Sequence, residues 1–469
     1  MTSEELDGWQ EKFERYHHRF GHLFARREPR EQSAKYLRGL MGTLPRKNGW
    51  QLAEAVGDAT PDATQRLLYQ ARWHADAARD VYLQFVVECF GDPEAIGVVD
   101  ETGFLKQGTA SVGVARQYTG TAGKTANCQV GTFLSYATDQ AQLLLDRRLY
   151  LPEVWCHDTA RRQQAKVPEQ IGFHTKPQQA WEMLEHAWNQ GVPMRWVVGD
   201  EVYGNATHLR DKVHDAQRWY VLAVASNTPV WRSWPPLVHP RPGKCRRRRR
   251  KKPRLAPTAP QATTVKEVFL SWPCWRWHRL TVAEGEKGPK TYDWACQRIV
   301  ESRQGLPSRE GWLLVRRSIG NPADISYYLS NAPQETSLLR LAQVASMRYT
   351  VEQCIEETKG EVGLDEYEVR SWPSWHRHIT LSMMAHGFLA SLRLEAMARP
   401  LEEPWLAELT VPEVKRLLEI ALPLPERSIE LRLAWSDFRR AKRKQARKSH
   451  ARARRNNQFK HLQHHRPPP

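Results

Sequence analysis

Two aspartates, Asp100 and Asp200, stand in the same local setting. Each follows a short apolar run, is followed at once by Glu, and precedes a turn containing Gly: Val98-Val-Asp-Glu-Thr-Gly103 and Val197-Val-Gly-Asp-Glu-Val-Tyr-Gly204. Short apolar runs bounded by turn residues read as buried strands. Ligands of open α/β sheets gather beyond the carboxyl ends of strands, so two such strands side by side would bring both acids to one edge. Carboxylate oxygens suit hard divalent cations such as Mg²⁺, which keep open water positions. Two such ions can clamp the attacking and leaving oxygens of a phosphodiester during in-line displacement. A strand-end Asp also serves as a turn or capping residue. The repetition of the whole context is what points to a shared site.

A third acid comes from the helical segment Arg348-Tyr-Thr-Val-Glu-Gln-Cys-Ile-Glu-Glu-Thr-Lys359. At about 100° per residue, Arg348, Glu352 and Lys359 fall within about 40° of one another, on one face. Glu352 on that face can ligate metal while Arg348 and Lys359 meet phosphates. An exposed helix with i,i+4 ion pairs fits the same spacing. Glu356 lies about 80° from Arg348, and Glu357 farther round, so Glu352 is the better placed acid.

The elements that must position these residues follow from periodicity. Residues 1–95 read as helical, with Asn48 to Val56 as a short amphipathic helix. After the breaker Gly57 to Pro61, a second helix from Asp62 to Trp73 is expected, with Thr60 as its N-cap and Pro61 at its first helical position. The pair resembles a DNA-binding helix-turn-helix, and an ordinary helical hairpin in a bundle fits it slightly better. From 96 to 229 strands dominate: Ala95 to Val99 ending at Asp100, a hairpin from Ser111 to Ala137, Gln142 to Leu151, Arg195 to Gly199 ending at Asp200, and Trp219 to Ala225. A helix from Pro177 to Gln190 lies among them. Residues 230–335 read as a Pro-rich basic linker and an inserted, mainly β subdomain, with strands at Thr264 to Phe269, Trp275 to Val282 and Gly311 to Arg317. Helices at Ser337 to Glu361 and His376 to Glu395 return to the core in 336–398, and 399–469 form a helical region with a basic tail. The expected class is α/β: a mixed-sheet core, the β insertion and a helical N-terminal domain.

The chain has 469 residues and a net charge of +18, and its hydrophobic content of 41% is that of a folding sequence. The charge is concentrated. Lys244 to Arg254 carries nine Lys/Arg, Arg439 to Lys460 carries eleven, neither tract contains an acid, and the rest of the chain is left nearly neutral. Two such tracts suit arms that track a polyanion. The seven cysteines are scattered and never form a CxxC pair, which argues against a disulfide framework or a structural zinc site and fits a reducing cytoplasm. The N-terminus carries no apolar signal segment, and the apolar run Ile379 to Leu394, interrupted by His386, is too short to span a bilayer. His17-His18 and the His-rich C-terminus read as solvated ends.

Several long stretches in order then resemble the DDE transposases of bacterial insertion sequences, specifically the insertion-sequence-701 type, related to the larger insertion-sequence-4 superfamily with a Tyr-Arg-Glu-Lys signature. They are RKNGWQLAEAVGD within Leu40 to Asp58, VVDETGFLKQG from Val98, SVGVARQYTGTAGKTANCQVG from Ser111, DEVYG from Asp200, KGPKTYDWA from Lys287, IEETKGEVGLDEYEVRSW from Ile355 and HRHITLSMMAHGFLA from His376. The resemblance implies an RNase H-like core with Asp100 on the first strand, Asp200 after the fourth and Glu352 on a later helix. It maps the signature's Arg, Glu and Lys onto Arg348, Glu352 and Lys359, and its Tyr onto Ala345, a departure. The implied activity is nicking of element ends and strand transfer by two Mg²⁺ ions, with Mn²⁺ tolerated, held by Asp100, Asp200 and Glu352. The implied partners are double-stranded DNA, as terminal inverted repeats and target, and a second copy of the chain on that DNA, in the bacterial cytoplasm and with no membrane. A non-catalytic DNA-binding relative, or a metal-dependent nuclease without strand transfer, would use part of the same equipment.

Overall fold

In the N-terminal segment aromatic side chains recur at helical spacing, and Trp9, Phe13, Tyr16 and Phe20 are all buried. The computed structural model, which describes residues 3–239, 253–283, 288–398 and 408–464, folds this segment into helices α1 (Ser3–His18), α2 (Arg27–Met41), α3 (Gly49–Ala55), α4 (Asp62–Tyr69) and α5 (Ala75–Phe90). Asn48 caps α3, its side-chain oxygen accepting the N–H groups of Trp50 and Gln51 at 3.1 Å. Helix α4 departs from expectation. Pro61 occupies the N-cap position, Thr60 bonds the Asp62 side chain rather than a backbone N–H, and the helix stops at Tyr69. The turn that follows carries Trp73 back into the core, where its indole N–H meets the Leu67 carbonyl at 2.9 Å.

The central sheet begins with β1 (Ile96–Leu105), β2 (Ala115–Thr119), β3 (Lys124–Ala137) and β4 (Gln142–Leu149). After α6 (Glu153–Cys156), α7 (Thr159–Gln164) and α8 (Lys176–Asn189) come β5 (Trp196–Gly199), α9 (Glu201–Gly204), α10 (Thr207–Asp215) and β6 (Trp219–Val224). Strands β1, β5 and β6 are parallel, whereas β3 runs antiparallel to β1, β2 and β4. Strand β1 does not end at Asp100 as the apolar run suggested. It continues to Leu105, because β3 goes on pairing with it after β5 has stopped.

Past residue 229 come β7 (Pro229–Trp231), β8 (Leu237–Val238), β9 (Arg254–Leu255), β10 (Thr263–Thr264), α11 (Val265–Leu270), β11 (His278–Ala283), β12 (Lys290–Arg303), β13 (Leu306–Arg317) and β14 (Ile325–Ser330). Apart from the short β8–β9 pair, these strands do not build a sheet of their own. Strand β14 pairs with β6, and β13, β12, β7 and β10 follow outward, giving a twelve-stranded mixed sheet among the described residues. Buried Glu301 of β12 fastens this extension to the core, meeting Tyr220 of β6, Arg210 at 3.2 Å and Arg303 at 2.7 Å. The expected strand from Thr264 to Phe269 is a helix instead. Thr264 and Glu267 form a reciprocal capping box, a local start signal that outweighs the β-branched content. Most of the first basic tract lies outside the described residues.

The helical return consists of α12 (Leu338–Ser346) and α13 (Arg348–Val362), broken at Met347 rather than continuous, then α14 (Trp372–Met397), α15 (Val411–Ala421) and α16 (Ile429–His464). Helix α14 is buried on nearly every side and serves as the central pillar. Several of its buried polar side chains reach neighbouring elements: His378 the Tyr36 hydroxyl of α2 at 2.8 Å, His386 the Glu357 carboxylate of α13 at 2.6 Å, and Arg377 the Leu68 and Trp73 carbonyls at 3.0 and 2.8 Å. The N-terminal helices and α13 therefore share one support.

Beside the pillar, Asp146 of β4 is buried against Arg79 of α5 and its own neighbours Arg147 and Arg148, at 2.9–3.1 Å. Burial alone would push its carboxyl up; the three guanidinium groups outweigh burial and hold it well below the usual carboxylate range. The resulting stabilisation is complete above about pH 4, the unfolded value, and is lost as the pH falls through the folded one. Asp146→Ala strands the buried cations, so denaturant titration at neutral pH should show a loss of about 3–5 kcal/mol. An unchanged midpoint would mean that the cluster is not what holds β4 to α5.

Candidate active site

Val99 of β1 lies opposite Gly199 of β5, and there β5 ends. The chain turns straight into α9, with Asp200 as its N-cap and its Oδ1 accepting the Val202 N–H at 2.8 Å. The tightness of this turn is written in Gly204, where a Cβ would stand 1.7 Å from the Ala223 carbonyl oxygen of β6. Asp100 is the next residue of β1, at the step where its neighbour strand has gone. Two acids one hundred positions apart in sequence thus meet at one sheet edge, Asp200 as a strand-end acid and Asp100 from within a longer strand.

Their proximity has an electrostatic cost. Burial, with the neighbouring charges of Glu101 and Asp200, pushes the Asp100 carboxyl up to about 7. Burial and Glu101 likewise raise Asp200, while Arg348 opposes both shifts. Glu101 lines the same edge but is already engaged. It accepts from the Lys176 ammonium at the start of α8 at 2.6 Å and from the Tyr203 hydroxyl at 2.7 Å.

Helix α13 closes the site. Arg348, Glu352 and Lys359 line one cavity of about 570 Å³ together with Asp100, Asp200, Glu101 and Glu356. The Lys359 ammonium donates to Thr102 of β1 at 2.8 Å, and burial lowers its pKa. The Glu352 carboxylate pairs with Arg348 at 3.2 Å and is half exposed. Both spacing-based readings of this helix therefore describe the same residues: the shared face and the i,i+4 ion pair coexist. Ala345, where the resembling signature has Tyr, is buried in the core on α12. Tyr349 instead holds the Lys290 ammonium over its ring, 3.0 Å from the centroid, which ties β12 to α13.

The donor set suits a hard divalent cation in part. Asp100 and Asp200 offer carboxylate oxygens whose mutual repulsion a cation relieves. Glu101 is held by Lys176 and Tyr203, and Glu352 by Arg348. Among the described residues, no three potential ligands already converge as a cluster. Glu352 must exchange Arg348 for a metal to join the aspartates.

The profile of the DDE superfamily endonucleases matches residues 19–289, more than half of the chain. The chain belongs to that family. It is also similar to a protein of Microchaete diplosiphon described as "Probable transposase for insertion sequence element IS701", with 25% identity over 198 residues. That match covers 42% of this chain and 49% of the relative, so the chain spans about half the length of the curated relative it matches. The resemblance read from the motifs is borne out at the level of the family and of the insertion-sequence-701 type. The family profile contains Asp100 and Asp200 and ends before Glu352.

The sequence pattern gave no sign of the roles of Glu101, Lys176 and Tyr203. The doublets Asp100-Glu101 and Asp200-Glu201 were visible, but only the packing of α8 and α9 decides that Glu101 finds the Lys176 ammonium and the Tyr203 phenol. A test follows from Asp100. Between about pH 4 and 7 the unfolded chain carries an ionised Asp100 while the folded chain keeps it protonated, so stability falls as pH rises through that window. Asp100→Asn should raise the Tm of the metal-free protein at about pH 8, with the gain vanishing toward about pH 4. Equal Tm values across that range would refute the crowded-carboxylate description.

Proposed function

We propose that this chain is a DDE transposase that binds the ends of an insertion sequence, cleaves them and transfers the freed 3′-hydroxyl strands to target DNA. The observation that carries the reading is the convergence of Asp100 and Asp200 at the end of β5, under a helix face that presents Arg348, Glu352 and Lys359. The strand order β4-β3-β1-β5-β6, antiparallel then parallel, supports an RNase H-like core. The hairpin strand β2 adds one, so that Asp200 follows the fifth strand in chain order.

Asp100, Asp200 and Glu352 are the residues that would hold two Mg²⁺ ions, with Mn²⁺ a tolerated substitute. When bound, such ions supply charge stabilisation at the attacking and leaving oxygens of an in-line displacement. The residues of the chain do the positioning. Arg348, 39% exposed, leaves Glu352 for a backbone phosphate, which frees the glutamate for ligation. Lys359, anchored at Thr102, supplies a second phosphate contact from the cavity wall. Glu101, neutralised by Lys176, stays out of the ligand set and keeps Tyr203 in place. In the first reaction water attacks phosphorus and the 3′ oxygen leaves; in the second that 3′-hydroxyl attacks a target phosphodiester and displaces the target strand's own 3′ oxygen.

Residues 1–95 would read the terminal repeats and the basic tracts would add salt-sensitive affinity. Two ends must be brought together, so a homodimer on DNA is part of the proposal, as is residence at the bacterial nucleoid. Among the described residues no helix is long and apolar enough to cross a membrane.

Labelled element ends incubated with the protein and Mg²⁺ should be nicked, and joined product should appear on a target plasmid. Asp100→Ala and Asp200→Ala should each reduce nicking to background; nicking that survives either change defeats the assignment. Glu352→Ala should do the same while Glu356→Ala retains activity, and the reverse result moves the third ligand one turn along α13. Arg348→Ala should weaken end binding and lower the salt slope of log Kobs by about one. An unchanged slope would remove Arg348 from the phosphate contacts.

A further inference from the structure

Helix α16 leaves the body of the protein after a firmly anchored root. Trp435 is fully buried and its indole N–H donates to the Asp58 carbonyl at 2.9 Å. The Phe438 ring stands edge-on to Trp50 at 5.1 Å, and Glu54 pairs with Arg439 at 2.5 Å and Arg427 at 3.4 Å. Trp50, Glu54 and Asp58 belong to α3 and the turn before α4. The helix thus grows out of the same short pair that resembles a helix-turn-helix.

Beyond the root the helix has little to pack on. From Ala441 to Arg455 every residue is exposed except half-buried Ala451. Ten Lys/Arg and no acid lie between Arg439 and Arg455. Among the described residues none forms an ion pair with the basic side chains from Arg443 to Arg455. Like charges stand four apart at Arg439/Arg443, Arg440/Lys444, Arg443/Arg447, Lys444/Lys448 and Lys448/Arg452, an arrangement that destabilises a lone helix. Ala, Arg, Lys and Gln favour the helix locally; its charge pattern demands a polyanion.

The pattern also has a shape. At about 100° per residue, nine of the ten cations fall in an arc of about 220°. Its margins, Arg439 and Arg443 on one side and Lys448 and Arg452 on the other, flank a sector of short or neutral side chains: Gln445, Ala446, Ser449 and Ala453. The tenth cation, Lys442, sits in that sector at the root, with its ammonium 5.5 Å from the Phe438 ring centroid. A major groove about 12 Å wide admits one α-helix between two phosphate walls. The A-form groove of double-stranded RNA is too deep and narrow for it. We propose that α16 is a duplex-DNA-binding arm whose short-side-chain sector enters the major groove while the two cationic margins meet the opposite phosphate walls. This rests on the reading of DNA as the substrate and adds to it a groove, a face and a fixed attachment. Because the root is held by Trp50, Glu54 and Asp58, the arm and the α3–α4 pair approach one stretch of DNA as a unit.

The test is binding of the full-length chain to a mixed-sequence duplex that lacks element ends, followed by fluorescence anisotropy without divalent metal across a salt series. The triple variant R443Q/K448Q/R452Q alters only exposed side chains on the two cationic margins. Its slope of log Kobs against log salt should be shallower by about 3, one step for each lost phosphate contact. Methylation of guanine N7, which faces the major groove, should weaken the natural chain and leave the variant little affected. An unchanged slope, an equal loss on a single-stranded oligonucleotide, or indifference to N7 methylation would each overturn the proposal. No reaction occurs in this assay, so its outcome is separate from that of the nicking experiment.

Discussion

Half-buried carboxylates crowded at one sheet edge are the constraint around which this protein is arranged. Ionised acids repel one another, and removal from water makes each harder to ionise. Nothing in the hydrophobic economy of the fold calls for Asp100 and Asp200 there. They are set together by a step in the sheet: β5 ends at Gly199 while β1 runs on beside β3. The surroundings answer the charge piecemeal. Glu101 is matched by Lys176 and Tyr203, Asp200 accepts the Val202 N–H, and Arg348 acts on both aspartates from across the cavity. What remains unrelieved is what a divalent cation and a phosphodiester would together balance.

Helix α13 depends on that edge from the other side. In the proposed ligand set it supplies a glutamate without adding another buried charge, since Glu352 is half exposed and ion-paired with Arg348. The helix is held by its far face, where His386 of α14 meets Glu357, and by Lys359 at Thr102. The apolar pillar α14 carries the N-terminal helices on its other sides. A change at the pillar would therefore reach both the acids and the helices proposed to read DNA.

Much of the local structure was legible. Asn48 before α3, the apolar runs before both aspartates, and the hairpin of β2 and β3 all act over a few residues, and they appear where the sequence pattern placed them. The failures have equally local or plainly distant causes. The segment after Thr264 carries a capping box that the strand reading undervalued. The length of β1 depends on a partner strand some thirty residues away, and no apolar run announces it. The inserted strands were expected, but not that they extend the core sheet: β14 pairs with β6 and the others follow outward, because hydrogen bonding favours extending an existing sheet over leaving an edge open.

By itself the sequence determined the chemical inventory: which acids follow apolar runs, which cations share a helix face with Glu352, and where the basic tracts lie. It also carried the motifs that place the chain among the DDE endonucleases. Only the tertiary structure decided that Asp100 meets Asp200, that Glu101 is taken by Lys176, that Ala345 is buried, and that α16 is rooted on α3. The division follows the range of the forces. Backbone propensity, capping and amphipathic period act within a turn or two of chain, whereas the meeting of side chains a hundred or more residues apart is settled only when the sheet closes and the core packs.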